Sequence, residues 1–137
     1  MAYKTYWIAK PWIMGVNYEG VVTVEDYEKA LGLCLEELER GPIYFLVDLS
    51  LGTSFPLSVT LIPSLLTLIN HPNTACFAWV GANTFAKVGI PTIVRKPNRF
   101  FETRPRAIAY LYNRALADQR EFAAPPSLTA VAEVDMG

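Results

Sequence analysis

The sequence predicts an α/β fold in which parallel βαβ units follow an N-terminal hairpin. Three observations carry this. Ile43-Tyr44-Phe45-Leu46-Val47 and Thr74-Ala75-Cys76-Phe77-Ala78-Trp79-Val80-Gly81 are apolar runs without polar alternation, the pattern of strands buried on both faces and covered by helices. Segments with helical apolar spacing alternate with these strands, which implies right-handed βαβ crossovers. Glycine and proline punctuate the joints.

Taken in order, Tyr3 to Ala9 and Trp12 to Tyr18 read as two strands joined at Lys10-Pro11, a hairpin signature. Gly15 inside the second is expected to mark a bulge. Thr23 and Asp26 form a capping pair at a helix start. Tyr27, Ala30, Leu31, Cys34, Leu35 and Leu38 then recur on one helical face. Gly41-Pro42 ends that helix. The central strand follows and is expected to stop at Asp48-Leu49-Ser50, giving way to a Gly/Thr/Ser/Pro loop. Leu57 to Asn70 is a second helix, which Pro63 either kinks or opens. After the strand at Thr74–Gly81, Asn83 or Thr84 caps a third helix through about Lys96, with an interruption at Gly89-Ile90-Pro91. Asn98 to Glu102 is a short strand. Thr103 caps a last helix with Ala107, Ile108, Leu111, Tyr112 and Ala115 on its apolar face.

At 137 residues the chain fits one domain, large enough to bury a core without staples. It is read as a domain over 1–122 and an apolar Pro/Ala-rich tail over 123–137, packing on the domain or on a neighbouring chain. It is 52% hydrophobic and 18% charged, with a net charge of −1, so nothing in the charge argues for nucleic acid. No apolar run reaches the ~20 residues of a membrane span, and the N-terminus lacks the core of a signal peptide. Cys34 and Cys76 read as core residues of a reducing, cytoplasmic compartment.

These segments resemble the SpoIIAA-like family of the STAS superfamily. Gly20-Val21-Val22-Thr23-Val24-Glu25-Asp26-Tyr27 is similar to the start of that family's first helix, Leu46-Val47-Asp48-Leu49 to its central strand, and Ala78-Trp79-Val80-Gly81 to the next. Arg99-Phe100-Phe101-Glu102-Thr103 with Ala107 to Leu111 resembles its late strand and final helix. The resemblance covers about Gly20 to Asn113. It implies a STAS-like α/β fold: a mixed sheet of about five strands, the first antiparallel, with about four helices. In anti-sigma-factor antagonists of this superfamily a partner kinase phosphorylates a serine at the start of the second helix, a position that falls near Ser58. The antagonist run Asp-Ser-Ser-Gly is replaced here by Pro56-Leu57-Ser58-Val59.

Ser58, Ser54 and Thr53 are the phosphorylation candidates, since a phosphate gains from a helix N-terminus; capping is the simpler use of such hydroxyls. From Leu49 through Ala86 there is no Asp, Glu, Lys or Arg, so the second helix lacks the charged outer face of a solvated helix. A homodimer interface, the tail or a small apolar ligand are the candidate covers. The interaction or ligand surface is therefore assigned to Asp48, Ser50, Leu57, Leu61, Leu65, Leu68, Asn83 and Thr84. Acidic residues gather on the first helix, basic ones later, and Arg95, Lys96 and Arg99 are the anion-binding candidates. Asp48 is expected to accept hydrogen bonds from the following N–H groups. His71 sits in Asn70-His71-Pro72-Asn73 with no second ligand type around it, so no metal is expected. No GxGxxG, P-loop or GxSxG occurs, so no cofactor is expected. The expected function is a non-catalytic regulatory module acting on a protein partner, the alternative a binder of a lipid-like ligand.

Overall fold

The computed structural model describes residues 2–54 and 63–122. β1 (Tyr3–Ala9) and β2 (Ile13–Val21) form the hairpin, followed by α1 (Val24–Leu38), β3 (Ile43–Ser54), α2 (Pro63–Ile69), β4 (Thr74–Val80), α3 (Thr84–Ile93), β5 (Asn98–Phe101) and α4 (Arg104–Ala117). The strands lie in sequence order, β1-β2-β3-β4-β5. β1 is antiparallel to β2, and the remaining neighbours are parallel. The described residues thus form an α/β domain with a five-stranded mixed sheet and four helices.

A sheet wound in sequence order by crossovers of one hand places every crossover helix on the same face. α1, α2 and α3 accordingly share a layer with Met14, Val16, Ile43, Phe45, Val47, Phe77 and Trp79. α4, following the last strand, covers the opposite face, where Ala107, Ile108, Leu111 and Ala115 meet Ile13, Tyr44, Leu46, Cys76 and Ala78. Alternate residues of β3 thus enter two cores, the reason for its unbroken apolar run. In the first layer Phe45, Phe77, Trp79 and Phe100 form a row of stacked rings across β3, β4 and β5, with centroids 5.5, 5.2 and 6.4 Å apart.

The cap of α1 is as the sequence indicates: the Thr23 hydroxyl accepts from the Asp26 N–H at 3.1 Å and Asp26 Oδ2 accepts from the Thr23 N–H at 2.9 Å. Three boundaries differ. β2 extends to Val21, and β3 continues past Asp48 to Ser54 because Leu51 and Gly52 pair with Glu19 and Gly20. The segment expected as a loop is therefore ribbon as far as Ser54, its remainder lying outside the described residues. Pro63 opens the described part of α2. α3 passes through Pro91 without a break and ends at Ile93; near a helix end proline sacrifices only one bond. Thr103 is the N-cap of α4 with no side-chain bond, and Pro105 in the first turn preorganises the start.

Gly15 serves a purpose other than a bulge. It pairs with Tyr6, and a Cβ there would lie 2.4 Å from the Tyr6 ring, so the aromatic ring lies over the bare backbone. The far end of α4 is tied down by Tyr44, whose hydroxyl donates to Asp118 Oδ2 at 2.5 Å, and by Trp12, whose indole N–H donates to the Glu121 carbonyl at 2.8 Å.

Cys34 and Cys76 are free and buried, in the two separate cores. Burial pushes each thiol up to about 12, which leaves almost no thiolate at neutral pH. Both thiols are expected to react with a maleimide only as fast as the chain unfolds, giving two modified cysteines in denaturant and none in the native state by intact mass. Gly15→Ala is expected to cost about 1–3 kcal/mol in urea denaturation through the clash with Tyr6.

Candidate functional site

The carboxyl ends of the parallel strands hold a closed polar network. Asp48 is the first polar residue after the apolar part of β3, standing between Asn17 of β2 and Val80 of β4 in register. It is only 6% exposed, so its charge requires a partner. That partner is Arg104, the first residue of α4. Its Nη1 donates to Asp48 Oδ2 at 2.5 Å and to Asn17 Oδ1 at 3.0 Å, and its Nη2 donates to the Tyr6 hydroxyl at 2.7 Å. Tyr6 in turn donates to Asn17 Oδ1, and the guanidinium carbon stands 5.8 Å from the Tyr6 ring centroid. On the other side of the carboxylate, Oδ1 accepts from the Ser50 N–H at 2.9 Å and from the Ser50 hydroxyl. Burial acts to lower the guanidinium pKa, but the Tyr6 hydroxyl and the Asp48 carboxylate outweigh it and hold Arg104 above its ordinary value.

Four elements meet here, β1, β2, β3 and the start of α4. Gly81, just after β4, closes the rim: its φ is +73°, and a Cβ would approach the Ser50 backbone to 2.6 Å. No other residue type allows both.

Beyond Asp48 the sheet narrows to two strands. β2 and β3 pair onward through Glu19–Leu51 and Val21–Ser54, whereas the β1 pairing with β2 reaches only Tyr18 and the β4 pairing with β3 only Asp48. This parallel ribbon carries Val21 at 68% and Leu51 at 60% exposure.

The other residues singled out in the sequence are distributed as follows. Leu68 is 3% exposed and packs inside the chain's own α1–α3 layer, so it is not available to a partner. Leu65 is half-buried against the same layer, and the exposed leucine of α2 is Leu66, at 43%. Asn83 caps α3 by accepting from the Ala86 N–H at 2.8 Å; Thr84 begins that helix. Arg95 is exposed and Lys96 half-exposed. Arg99 lies 5.6 Å from the rings of both Phe101 and Tyr110. Thr53 and Ser54 lie in the last turn-side residues of β3, their side chains outside the description. Leu57, Ser58, Leu61 and the tail over 123–137 lie outside the described residues. His71 Nδ1 accepts from the Asn73 N–H at 3.0 Å, shaping its loop. Among the described residues no group of His, Cys, Asp and Glu is placed to hold a metal ion, and no helix is long and apolar enough to cross a membrane.

No protein-family model and no curated protein matches this chain. Among solved structures it is similar to an uncharacterized protein of the DUF3478 family, with a SpoIIAA-like fold, from Shewanella loihica PV-4. The two are 21% identical, with a TM-score of 0.59 over 80% of this chain and 94% of that one. The chain has a SpoIIAA-like fold.

Removing one member of the Asp48–Arg104 pair leaves a buried charge or donor unsatisfied. Asp48→Asn and Arg104→Met are each expected to lose about 3 kcal/mol in urea denaturation. The double variant should cost at least about 1 kcal/mol less than the two losses added together; strict additivity would show that the two side chains are not coupled.

Proposed function

We propose that this chain is a non-catalytic, regulatory protein-interaction module of the STAS type, acting through the carboxyl rim of its sheet. The observation that carries the reading is the ribbon past Asp48. It presents Val21 and Leu51 to solvent and leads into a stretch, 49–86, without one formal charge. Val21 and Leu51 stand beside the exposed Glu19 of the same ribbon, and exposed large apolar side chains rimmed by a polar group are the mixture that partner sites carry. Leu66 on α2 is a further exposed leucine within that uncharged stretch. Asp48 supports the non-catalytic reading, because both of its oxygens already accept from fixed donors. In that state it holds the rim together and is poorly placed to take up a substrate proton. The two unpaired cysteines support a reducing, cytoplasmic setting. Within this reading Thr53, Ser54 and Ser58 are the hydroxyls whose phosphorylation by a partner kinase would add charge to the uncharged 49–86 stretch and weaken an apolar contact.

One observation favours a second reading, a small apolar ligand. Among the described residues the buried Trp79 indole N–H has no hydrogen-bond partner, and an apolar molecule carrying one acceptor would satisfy it.

The test is site-specific photo-cross-linking in the native host. A benzophenone side chain at Leu51 or Leu66 is expected to capture one discrete partner band. The same group at Leu116, equally exposed on α4 at 45%, is expected to capture none. Equal capture at all three positions, or none anywhere, would count against a rim-directed partner. A co-purified small molecule in native mass spectra would favour the ligand instead.

A further inference from the structure

The seam between β5 and α4, on the sheet face away from α1, α2 and α3, gathers cations around one tyrosine. β5 is an edge strand of the sheet, and the pairing of Arg99 with Ala78 puts Arg99 on the face that α4 covers. Its guanidinium is held 5.6 Å from the rings of both Phe101 and Tyr110. Arg114 stands one turn after Tyr110 on the same flank of α4. It is half-buried and reaches the Cys76 sulfur, where it eases without reversing the rise that burial gives that thiol. Burial also raises the Tyr110 hydroxyl above its ordinary range and Cys76 adds to the rise, while Arg114 and Arg99 are both close enough to draw it back. Two guanidiniums thus flank one hydroxyl.

Among the described residues no carboxylate pairs with either arginine. Every charged side chain from Lys87 to Ala117 is a cation except Glu102, and Arg104 is taken up by Asp48. Glu102 is exposed, and β4 brings no charge. Asp118, one turn past Arg114, is engaged by the Tyr44 hydroxyl, to which Arg120 also donates. Arg95 and Lys96, just before β5, add positive charge to the same edge. The Arg114 Nε–H is buried and has no hydrogen-bond partner among the described residues, although buried donors in folded chains are nearly always met by an acceptor. The description ends on the other flank of α4, where Phe122 packs on Tyr112 and Arg120 on Trp12.

Two guanidinium forks and a hydroxyl around one point are the donors of an oxyanion site, since each fork offers paired N–H groups in the geometry of phosphoryl oxygens. The aromatic rings hold Arg99 and the packing of α4 holds Arg114 before any ligand arrives, so little side-chain freedom is lost on binding. Two uncompensated positive charges favour a dianion. We propose that Arg99, Arg114 and the Tyr110 hydroxyl form a binding site for a dianionic phosphoryl group, free phosphate or a small phosphomonoester, with the Arg114 Nε–H as its innermost donor. This goes beyond the partner site above, since it lies on the α4 face at the β5 edge and does not involve the ribbon past Asp48.

The experiment follows the arginine Nε–H signals of the full chain by proton–nitrogen correlation NMR. Inorganic phosphate and, separately, phenyl phosphate are titrated at a constant ionic strength of about 0.15 M. The Arg99 and Arg114 signals are expected to move together and saturate, while sodium chloride at the same ionic strength leaves them in place. Whichever compound saturates at the lower concentration identifies the source as the free ion or an ester, and either supports the site. Arg99→Gln, at an exposed position, is expected to weaken binding at least about tenfold. Arg114→Lys, which keeps the charge but loses the fork, is expected to do the same; each is read on the arginine signal that remains. Lys87→Gln removes one positive charge from an exposed position on α3, in the other layer, and is expected to leave the affinity unchanged. Should Arg114→Lys lose its native circular dichroism, Arg99→Gln alone decides. Shifts that grow linearly without saturating, an Arg114 signal that does not respond, or full affinity in Arg99→Gln would overturn the proposal. Equal weakening by Lys87→Gln would overturn it as well, by assigning the effect to overall charge.

Discussion

The burial of β3 on both faces is the constraint from which the rest follows. A strand with Ile43, Phe45 and Val47 on one side and Tyr44 and Leu46 on the other must be covered twice. The crossover helices supply only one cover, because all of them turn with the same hand. α4 must therefore pass to the second face, and its first residue arrives at the end of β3, where Asp48 terminates the apolar run. A carboxylate only 6% exposed there requires a cation, and Arg104 provides it at 2.5 Å. Tyr6 and Asn17 complete the guanidinium's partners and connect the hairpin to the same point. One ion pair thus joins the first strand, the central strand and the last helix.

This arrangement divides labour between the two ends of the sheet. At the carboxyl end the Asp48 network is turned inward on itself, and the ribbon beyond it exposes Val21 and Leu51 beside Glu19. At the amino end the strands begin among charges of both signs, Arg40 beside Glu37 and Arg120 over the Trp12 ring among them. Hydrophobic surface favours a lasting contact with a specific partner, whereas complementary charge governs orientation and encounter and responds to salt.

Most of the fold was legible in the sequence because its signals are local. Doubly apolar strands, the Thr23–Asp26 capping pair and the helical spacing of Ala30, Leu31, Cys34 and Leu38 all act within a few residues of themselves. The continuation of β3 to Ser54 was not legible. Ser50, Gly52, Thr53 and Ser54 have turn composition, and only pairing with Glu19 to Val21 of β2 holds them extended. Gly15 was misread for a related reason: a glycine in a strand signals an anomaly, but which one depends on the residue across the ladder, here the Tyr6 ring. At the site, Asp48 and its bonds to Ser50 follow from sequence proximity. Arg104, 56 residues away, looked like one more member of a basic run, and only the packing of α4 separates it from its solvated neighbours. A weak clue was present, in that it directly follows the N-cap Thr103, where a cation is unfavourable against the helix dipole and needs another reason to be there.

The account stands on the Asp48–Arg104 contact as the tie that keeps the carboxyl rim in its extended form. Amide hydrogen exchange of the native chain and of Arg104→Lys addresses this directly, since lysine keeps the charge but lacks the fork that reaches Asp48, Asn17 and Tyr6 together. The expected result is a selective loss of protection in residues 17–21, 48–54 and the first turn of α4, with α1 and β4 unchanged. Protection that is unaltered in those segments, or lowered evenly across the whole domain, would contradict it.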